Sequence, residues 1–212
     1  MKAPAENTGG GPASPPDADS ACLNSPLCEQ LLQSESVYRG SFLDVRHDRV
    51  RLPDGQVADR EYIVHPGAVM IVPLLDDDRL VMERQWRYPM GRVMTEFPAG
   101  KLDGGEAPLH CAVRELIEET GYRAREWARA CILHNAIAYS TEGIEVWFAR
   151  GLTAGPRKLD PGEFLDVITL SLEELDELVR SGGVTDGKTL TGLLWLQNWR
   201  AGRWPLTWQP AP

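Results

Sequence analysis

The sequence predicts an α/β fold, because runs with the pattern of β-strands alternate with segments of helical periodicity. The strands are expected within 36–64 and at 68–75, 80–86, 95–98, 130–136, 144–149 and 164–170. The helices are expected at 106–120, from Ser171 onward, and at 188–200. Gly121 directly follows the first helical segment and supplies its stop, and Ser171 with Glu174 has the spacing of a capping box.

The composition restricts the classes of function. Of 212 residues, 42% are hydrophobic and 25% are charged, which is ordinary for a globular protein. The net charge of −9 argues against a protein that wraps nucleic acid or coats an anionic membrane. No apolar run approaches the roughly 18 residues of a membrane span, and residues 1–19 lack the apolar core of a secretory signal. We therefore expect a cytoplasmic protein whose four cysteines are reduced.

The chain is expected to divide into three regions. Residues 1–30 form a disordered tail, since their first part is rich in Ala, Pro, Gly and Asp and lacks apolar periodicity. Residues 31–66 form a β-rich lobe, and residues 67–212 form the main domain. The run 76–78 of three aspartates lies between two strands, where a solvated hairpin turn is preferred over a metal site.

The helical segment 106–120 carries the residues of greatest chemical interest. Glu115 and Glu119 lie one turn apart on one face, and Glu118 lies near its border. Three carboxylates so close together repel one another unless a positive charge lies between them. Arg114 can pair with one of them, and a hard cation such as Mg²⁺ satisfies the others. A solvated acidic face is the alternative, but the glycine-bearing loop before the helix favours a bound ligand.

This loop and helix resemble a known motif. The resemblance rests on Gly100, Glu106, the run Arg114-Glu115-Leu116-Ile117-Glu118-Glu119-Thr120 and Gly121, at the spacing of a complete Nudix box. In the Nudix hydrolases this loop–helix–loop binds Mg²⁺ or Mn²⁺ at the diphosphate of a nucleoside diphosphate linked to another group. The resemblance implies a Nudix α/β/α sandwich with a mixed sheet, plus a small N-terminal antiparallel β lobe.

The resemblance also implies roles for individual residues. Glu115 and Glu119 become the principal metal ligands, and the main-chain carbonyl of Ala99 becomes a further ligand. Arg114 orients the carboxylates, and Glu118 supports them or binds metal itself.

Segments outside the motif resemble the ADP-ribose pyrophosphatase branch of the family. They lie at 36–40, 52–55, 65–69, 85–87 and 96–101. In that branch the N-terminal strands are exchanged in a homodimer, and both subunits build each substrate site. By this resemblance Arg87 faces a phosphate and Glu96 lies near the ribose or phosphate end of the substrate, although a surface arginine remains the alternative for Arg87.

The general base is expected on a loop opposite the helix. Glu163 is preferred, because the branch usually places a glutamate before the strand 164–170. Asp160, Glu142 and Glu145 remain alternatives, as does a plain acidic turn. Glu142 is also a candidate substrate contact, since 140–142 resembles polar residues of the branch. The preceding residues lack the prolines and glycine usual there.

The function implied by the resemblance is Mg²⁺-dependent hydrolysis of a nucleoside diphosphate sugar, with ADP-ribose giving AMP and ribose 5-phosphate. The alternatives are GDP-mannose, a dinucleoside polyphosphate or NADH as substrate, and a ligand sensor without turnover. Retention of all three helix glutamates disfavours the sensor.

Overall fold

The structure, a computed structural model, describes residues 25–212. Eleven strands are present in this range: β1 (Gln30–Arg39), β2 (Asp44–Arg51), β3 (Val57–Val64), β4 (Ala68–Leu74), β5 (Leu80–Arg87), β6 (Arg92–Glu96), β7 (Ala99–Lys101), β8 (Tyr122–Leu133), β9 (Ile144–Ala154), β10 (Leu165–Leu170) and β11 (Gln209–Pro210). The α-helices are α1 (Pro108–Glu115), α2 (Leu172–Arg180) and α3 (Gly187–Arg200), and a short 3₁₀ turn covers Tyr88–Met90. The tail expected at 1–30 lies mostly outside the described residues, and β1 begins at Gln30.

The strands form two sheets. The first contains β1, β2 and β3 in that order and is antiparallel, as expected for the N-terminal lobe. The second has the order β10-β5-β4-β9-β8-β11, with β6 paired to β5 and β7 paired to β4. Strands β4 and β9 are parallel and the other neighbours are antiparallel, so this sheet is mixed.

Strand β4 lies at the centre of the second sheet, and all seven of its residues are buried. Because side chains alternate between the two faces of a strand, its residues divide between two cores. Val69 and Ile71 pack in the cluster that contains Leu116 beside α1. Met70 and Val72 pack in the cluster that contains residues of α2 and α3. The predicted α/β/α sandwich with an added antiparallel lobe is therefore confirmed.

The helix that carries the acidic residues differs from the prediction in two ways. It begins at Pro108 rather than at residue 106, because proline lacks the N–H group that the first helical position leaves unpaired. Its last turn, Leu116–Thr120, is a π-helix. Gly121 ends the turn with φ of 77°, a left-handed conformation that favours glycine, as the sequence predicts.

Other predictions vary in accuracy at their boundaries. Ser171 forms the predicted capping box with Glu174, and Asp78 completes the hairpin turn between β4 and β5. The sixth strand occupies Arg92–Glu96 rather than 95–98. Strand β8 begins at Tyr122 rather than at 130, because its first half is only partly buried and gives a weak apolar signal.

The cysteines differ in whether they form a disulfide. Cys111 and Cys131 are free, as expected. Cys28 is disulfide-bonded, which contradicts the expectation for that residue. Cys22 lies outside the described residues. Among residues 25–212, no helix has the length and apolar character needed to cross a membrane.

Candidate active site

A cavity of about 800 Å³ opens beside the end of α1, between the main sheet and the N-terminus of α3. It collects all the predicted site residues except Arg114: Arg87, Glu96, Ala99, Glu115, Glu118, Glu119, Glu142 and Glu163. These residues come from three strands, one helix and two loops, so the fold brings together residues that are far apart in the sequence. A ligand pocket in a protein has typically about 300–1,000 Å³, and this cavity falls in that range.

Arg114 lies behind the cavity wall and binds three carboxylates. It forms two hydrogen bonds with Glu106, at 3.0 and 2.9 Å, and single bonds with Glu115 at 2.7 Å and Glu118 at 3.1 Å. The Arg114 guanidinium lowers the pKa of Glu106 to about 2. One arginine therefore fixes the loop before the helix to the acidic residues on the helix.

Gly100 leaves space for Glu115. A Cβ atom built on Gly100 would overlap the side chain of Glu115, including its carboxyl carbon. Burial raises the pKa of Glu115 above its usual value, and Arg114 opposes this effect. The absence of a side chain at position 100 thus allows this carboxylate to lie against strand β7.

Glu119 is the most deeply placed of the helix acids, with 3% of its surface exposed. Its Oε2 accepts a hydrogen bond from the main-chain N–H of Ala99 at 3.1 Å. Burial raises the pKa of Glu119 strongly, and the nearby charges of Glu83, Glu115 and Glu163 raise it further. A carboxylate in such surroundings gains most from a positive charge beside it.

Arg87 and Glu96 form a bidentate ion pair on the cavity wall, at 2.7 and 2.8 Å. Lys188 at the start of α3 also binds Glu96, and it reaches Asp186 at 3.0 Å. Burial raises the pKa of Glu96, but hydrogen bonds and charge from Arg87 and Lys188 outweigh it and leave the pKa below its usual value. Glu96 therefore remains ionised and holds the Arg87 guanidinium in place.

Glu163 lies on the loop before β10 and also lines the cavity. Its Oε1 lies 3.5 Å from the amide nitrogen of Gln85, and its Oε2 lies 3.4 Å from the main-chain nitrogen of Asp160. Its charge acts on both Glu115 and Glu119. Asp160 also lines the cavity.

Two further acids considered for the site lie differently. Glu142 lines the cavity, with an oxygen 3.4 Å from Nε2 of His65. Glu145 is not part of the cavity lining, because its Oε2 accepts hydrogen bonds from Arg129 and from the indole of Trp147.

The sequence did not single out Glu83, Gln85 or Lys188. Glu83 lies inside the apolar run 80–86, and a charged residue within a buried strand was the signal that could have found it. Gln85 and Lys188 line the cavity. Lys188 meets Glu96 only through the fold, since 92 positions separate them.

The donor set fits a hard divalent cation, because carboxylate oxygens dominate it and burial makes their negative charge costly. Glu115 and Glu119 line the cavity together with Ala99, whose main-chain N–H binds Glu119. Among residues 25–212 no three acidic, histidine or cysteine side chains already stand in an arrangement that could enclose an ion. Arg114 binds Glu115 and Glu118 directly.

Comparison with known proteins extends these observations. Residues 64–191 match the NUDIX domain. Residues 29–63, which contain the three-stranded sheet, match the nucleoside diphosphate sugar hydrolase N-terminal domain.

Individual relatives cover most of the chain. An ADP-ribose pyrophosphatase of Bacillus subtilis is 36% identical over 81% of this chain and 94% of its own length. A methanol dehydrogenase activator of Bacillus methanolicus is 34% identical over 80% and 92%. A crystal structure of an ADP compounds hydrolase superposes with a TM-score of 0.75 at 25% identity, covering 82% of this chain and 95% of that one. The chain belongs to the Nudix hydrolase family.

Proposed function

We propose that this enzyme hydrolyses the diphosphate bond of a nucleoside diphosphate sugar, with ADP-ribose giving AMP and ribose 5-phosphate. The observation that carries the proposal is one cavity lined by the helix carboxylates together with Arg87 and Glu163. The volume of about 800 Å³ suits a substrate with a nucleoside, a diphosphate and a second sugar. The name of the Bacillus subtilis relative supports ADP-ribose as the substrate.

A divalent cation, Mg²⁺ or Mn²⁺, is the proposed cofactor. Glu115, Glu119 and the Ala99 carbonyl would hold it, since both carboxylates are largely buried within the cavity wall. When bound, the cation supplies positive charge that stabilises the diphosphate during attack and makes water a better nucleophile. The two carboxylates lie on the helix, and the carbonyl lies on the adjoining strand β7.

Arg114 and Glu118 are proposed to position the cation ligands. Arg114 bonds to both Glu115 and Glu118, and its link to Glu106 ties them to the preceding loop. Because several bonds fix one rigid guanidinium, the Glu115 carboxylate is held in one orientation. This arrangement reduces the reorganisation that substrate binding requires.

Arg87 is proposed to bind a phosphate of the substrate. Its planar guanidinium suits bidentate contact with phosphate oxygens, and 38% of its side chain is exposed to the cavity and solvent. Glu96 holds Arg87 from behind and is proposed to lie near the ribose or phosphate end of the substrate. Glu142, which lines the cavity beside His65, is proposed as a further substrate contact.

Glu163 is the proposed general base. It lies on a loop opposite the helix and lines the cavity, where a water attacking the diphosphate would lie. Within residues 25–212 its oxygens have only long contacts, at 3.5 Å to Gln85 and 3.4 Å to Asp160, so they remain able to accept a proton from that water. Asp160 is the alternative, because it lines the same part of the cavity.

A homodimer formed through the lobe 31–66 is also proposed. Every residue of β1 is exposed in the single chain, including the apolar residues Leu31, Leu32, Val37 and Tyr38. Apolar residues on a free edge strand are commonly covered by another chain. Phe42, which follows β1, also lines the cavity, so the lobe and the site are in contact.

The cytoplasm is the proposed place of action, because the proposed substrate is a nucleotide. The disulfide at Cys28 is the feature that argues against it, since disulfides are rare in that compartment. Cell fractionation with an antibody against the protein tests this point.

A substrate panel tests the proposed function. Purified enzyme with Mg²⁺ is given ADP-ribose, GDP-mannose, a diadenosine polyphosphate and NADH at equal concentrations, and kcat/KM is measured for each. The expected result is the highest kcat/KM for ADP-ribose. A higher value for another compound would reassign the substrate within the same chemistry. Absence of turnover on all four would favour a ligand sensor.

A further inference from the structure

Glu83 occupies an unusual position beside the candidate active site. Side chains at alternate positions of a strand share one face, so Glu83, Gln85 and Arg87 point the same way from β5. Gln85 contacts Glu163, and Arg87 binds Glu96, and both line the cavity. Glu83 lies deeper along the same face, with 0% of its surface exposed.

The carboxylate of Glu83 has no partner in the part of the chain that the structure describes. Neither Oε1 nor Oε2 accepts or donates a hydrogen bond there. Buried carboxylates in proteins are almost always paired with a positive charge or hydrogen-bonded, because an unpaired one is strongly unfavourable. The two cationic side chains whose charge acts on Glu83, Arg87 and Lys188, are both bound to Glu96. An uncompensated acid in this position points to a positive charge that arrives with a ligand.

The acidic groups around Glu83 indicate where the positive charge of a ligand would lie. Glu83 is the charged group that acts most strongly on Glu119, while Glu96 and Glu163 act on Glu83 itself. Glu83 is also the register partner of Glu96 in the β5–β6 pair. The charge of Glu163 acts on both Glu83 and Glu119, so these three acids lie within electrostatic reach of one another.

We propose that Glu83 is a further carboxylate of the cation site, placed behind Glu119 so that a divalent cation gains another negative charge. This inference rests on the proposed function, because it assigns Glu83 to the cation that the function requires. Adding carboxylate charge raises the affinity of a site for divalent cations. Glu83 is therefore expected to strengthen cation binding without contacting the sugar or the base of the substrate.

Direct titration with Mn²⁺ tests the proposal without relying on catalysis. The signal of free Mn²⁺ in electron paramagnetic resonance gives the dissociation constant for the wild type, Glu83→Gln and Glu83→Val. The two variants keep the site compact, one with a neutral isostere and the other with an apolar residue. Glu126→Gln is the control, because it removes the same charge from a half-exposed strand position outside the cavity.

The expected result is a dissociation constant for Mn²⁺ that rises roughly 10–100-fold in both Glu83 variants and stays unchanged in Glu126→Gln. Wild-type affinity in a folded Glu83→Gln protein would overturn the proposal. A change in the melting temperature of the cation-free protein with no change in Mn²⁺ affinity would also overturn the proposal. That result would mean that Glu83 has a purely structural role. Failure of the wild type itself to bind Mn²⁺ or to hydrolyse any substrate would instead contradict the proposed function.

Discussion

Gly100 and Glu115 are packed so closely that a methyl group on the glycine would occupy the place of the glutamate side chain. The obstacle is the end of a flexible side chain rather than main chain. A substitution at position 100 therefore displaces Glu115 and leaves the strand β7 in place. This relationship separates damage to the site from damage to the fold.

Gly100→Ala is expected to lower kcat by about 100-fold, because a displacement of about 1 Å in a positioned group can cost that much. The melting temperature should change little. Gly104→Ala is the matched control, since a Cβ atom there meets nothing within 4 Å and its φ is not positive. Steady-state kinetics and thermal unfolding of both variants check the prediction. Equal activity of the two variants would contradict the assigned place of Glu115.

Glu119→Gln is expected to reduce turnover by several orders of magnitude, because it removes a proposed ligand charge and almost no volume. The cation-free protein should melt at the same temperature or higher, since the substitution removes a buried acid. Kinetics at several Mg²⁺ concentrations and calorimetry check both parts. An active variant with unchanged dependence on Mg²⁺ would remove Glu119 from the cation site.

The part of the site that could be predicted from the sequence is the part that lies on one helix. Glu115 and Glu119 are four positions apart on one helix, and Arg114 adjoins them, so helical periodicity and the motif suffice to group them. Arg87, Glu96 and Glu163 come from other segments, and only the resemblance connected them to the site.

The remaining features depend on the fold. Lys188 lies 92 positions from Glu96, and no local pattern joins the two. Glu83 is hidden in an apolar run, and its burial becomes evident only when β10 and β6 pair with β5 on either side. The π-turn at the end of the helix also leaves no clear periodic signal, because it comprises only five residues.

Arg87→Lys is expected to raise KM for ADP-ribose by about tenfold, because a bidentate contact is reduced to a single point charge. The effect on kcat should be smaller if the phosphate contact forms in the ground state. Arg84→Lys is the control on the same strand, since Arg84 is exposed and pairs with Asp166 at 2.9 Å. An unchanged KM in Arg87→Lys would make Arg87 a surface arginine held by Glu96.

Leu31→Asp is expected to convert a dimer into a monomer, because it places a charge in the apolar surface of β1. Light scattering after size-exclusion chromatography measures the mass directly. Leu194→Asp is the control, since Leu194 on α3 has nearly the same exposure, 49% against 50% for Leu31. A wild-type protein that is already monomeric at micromolar concentration would contradict the proposed dimer.

The most direct test of the central claim is identification of the products formed from ADP-ribose. Wild-type enzyme is freed of metal with a chelator and incubated with ADP-ribose before and after addition of Mg²⁺, and the products are separated by chromatography. The account predicts AMP and ribose 5-phosphate in equal amounts, only after Mg²⁺ is added. Unaltered ADP-ribose in the presence of Mg²⁺, or cleavage at any bond other than the diphosphate, would contradict it.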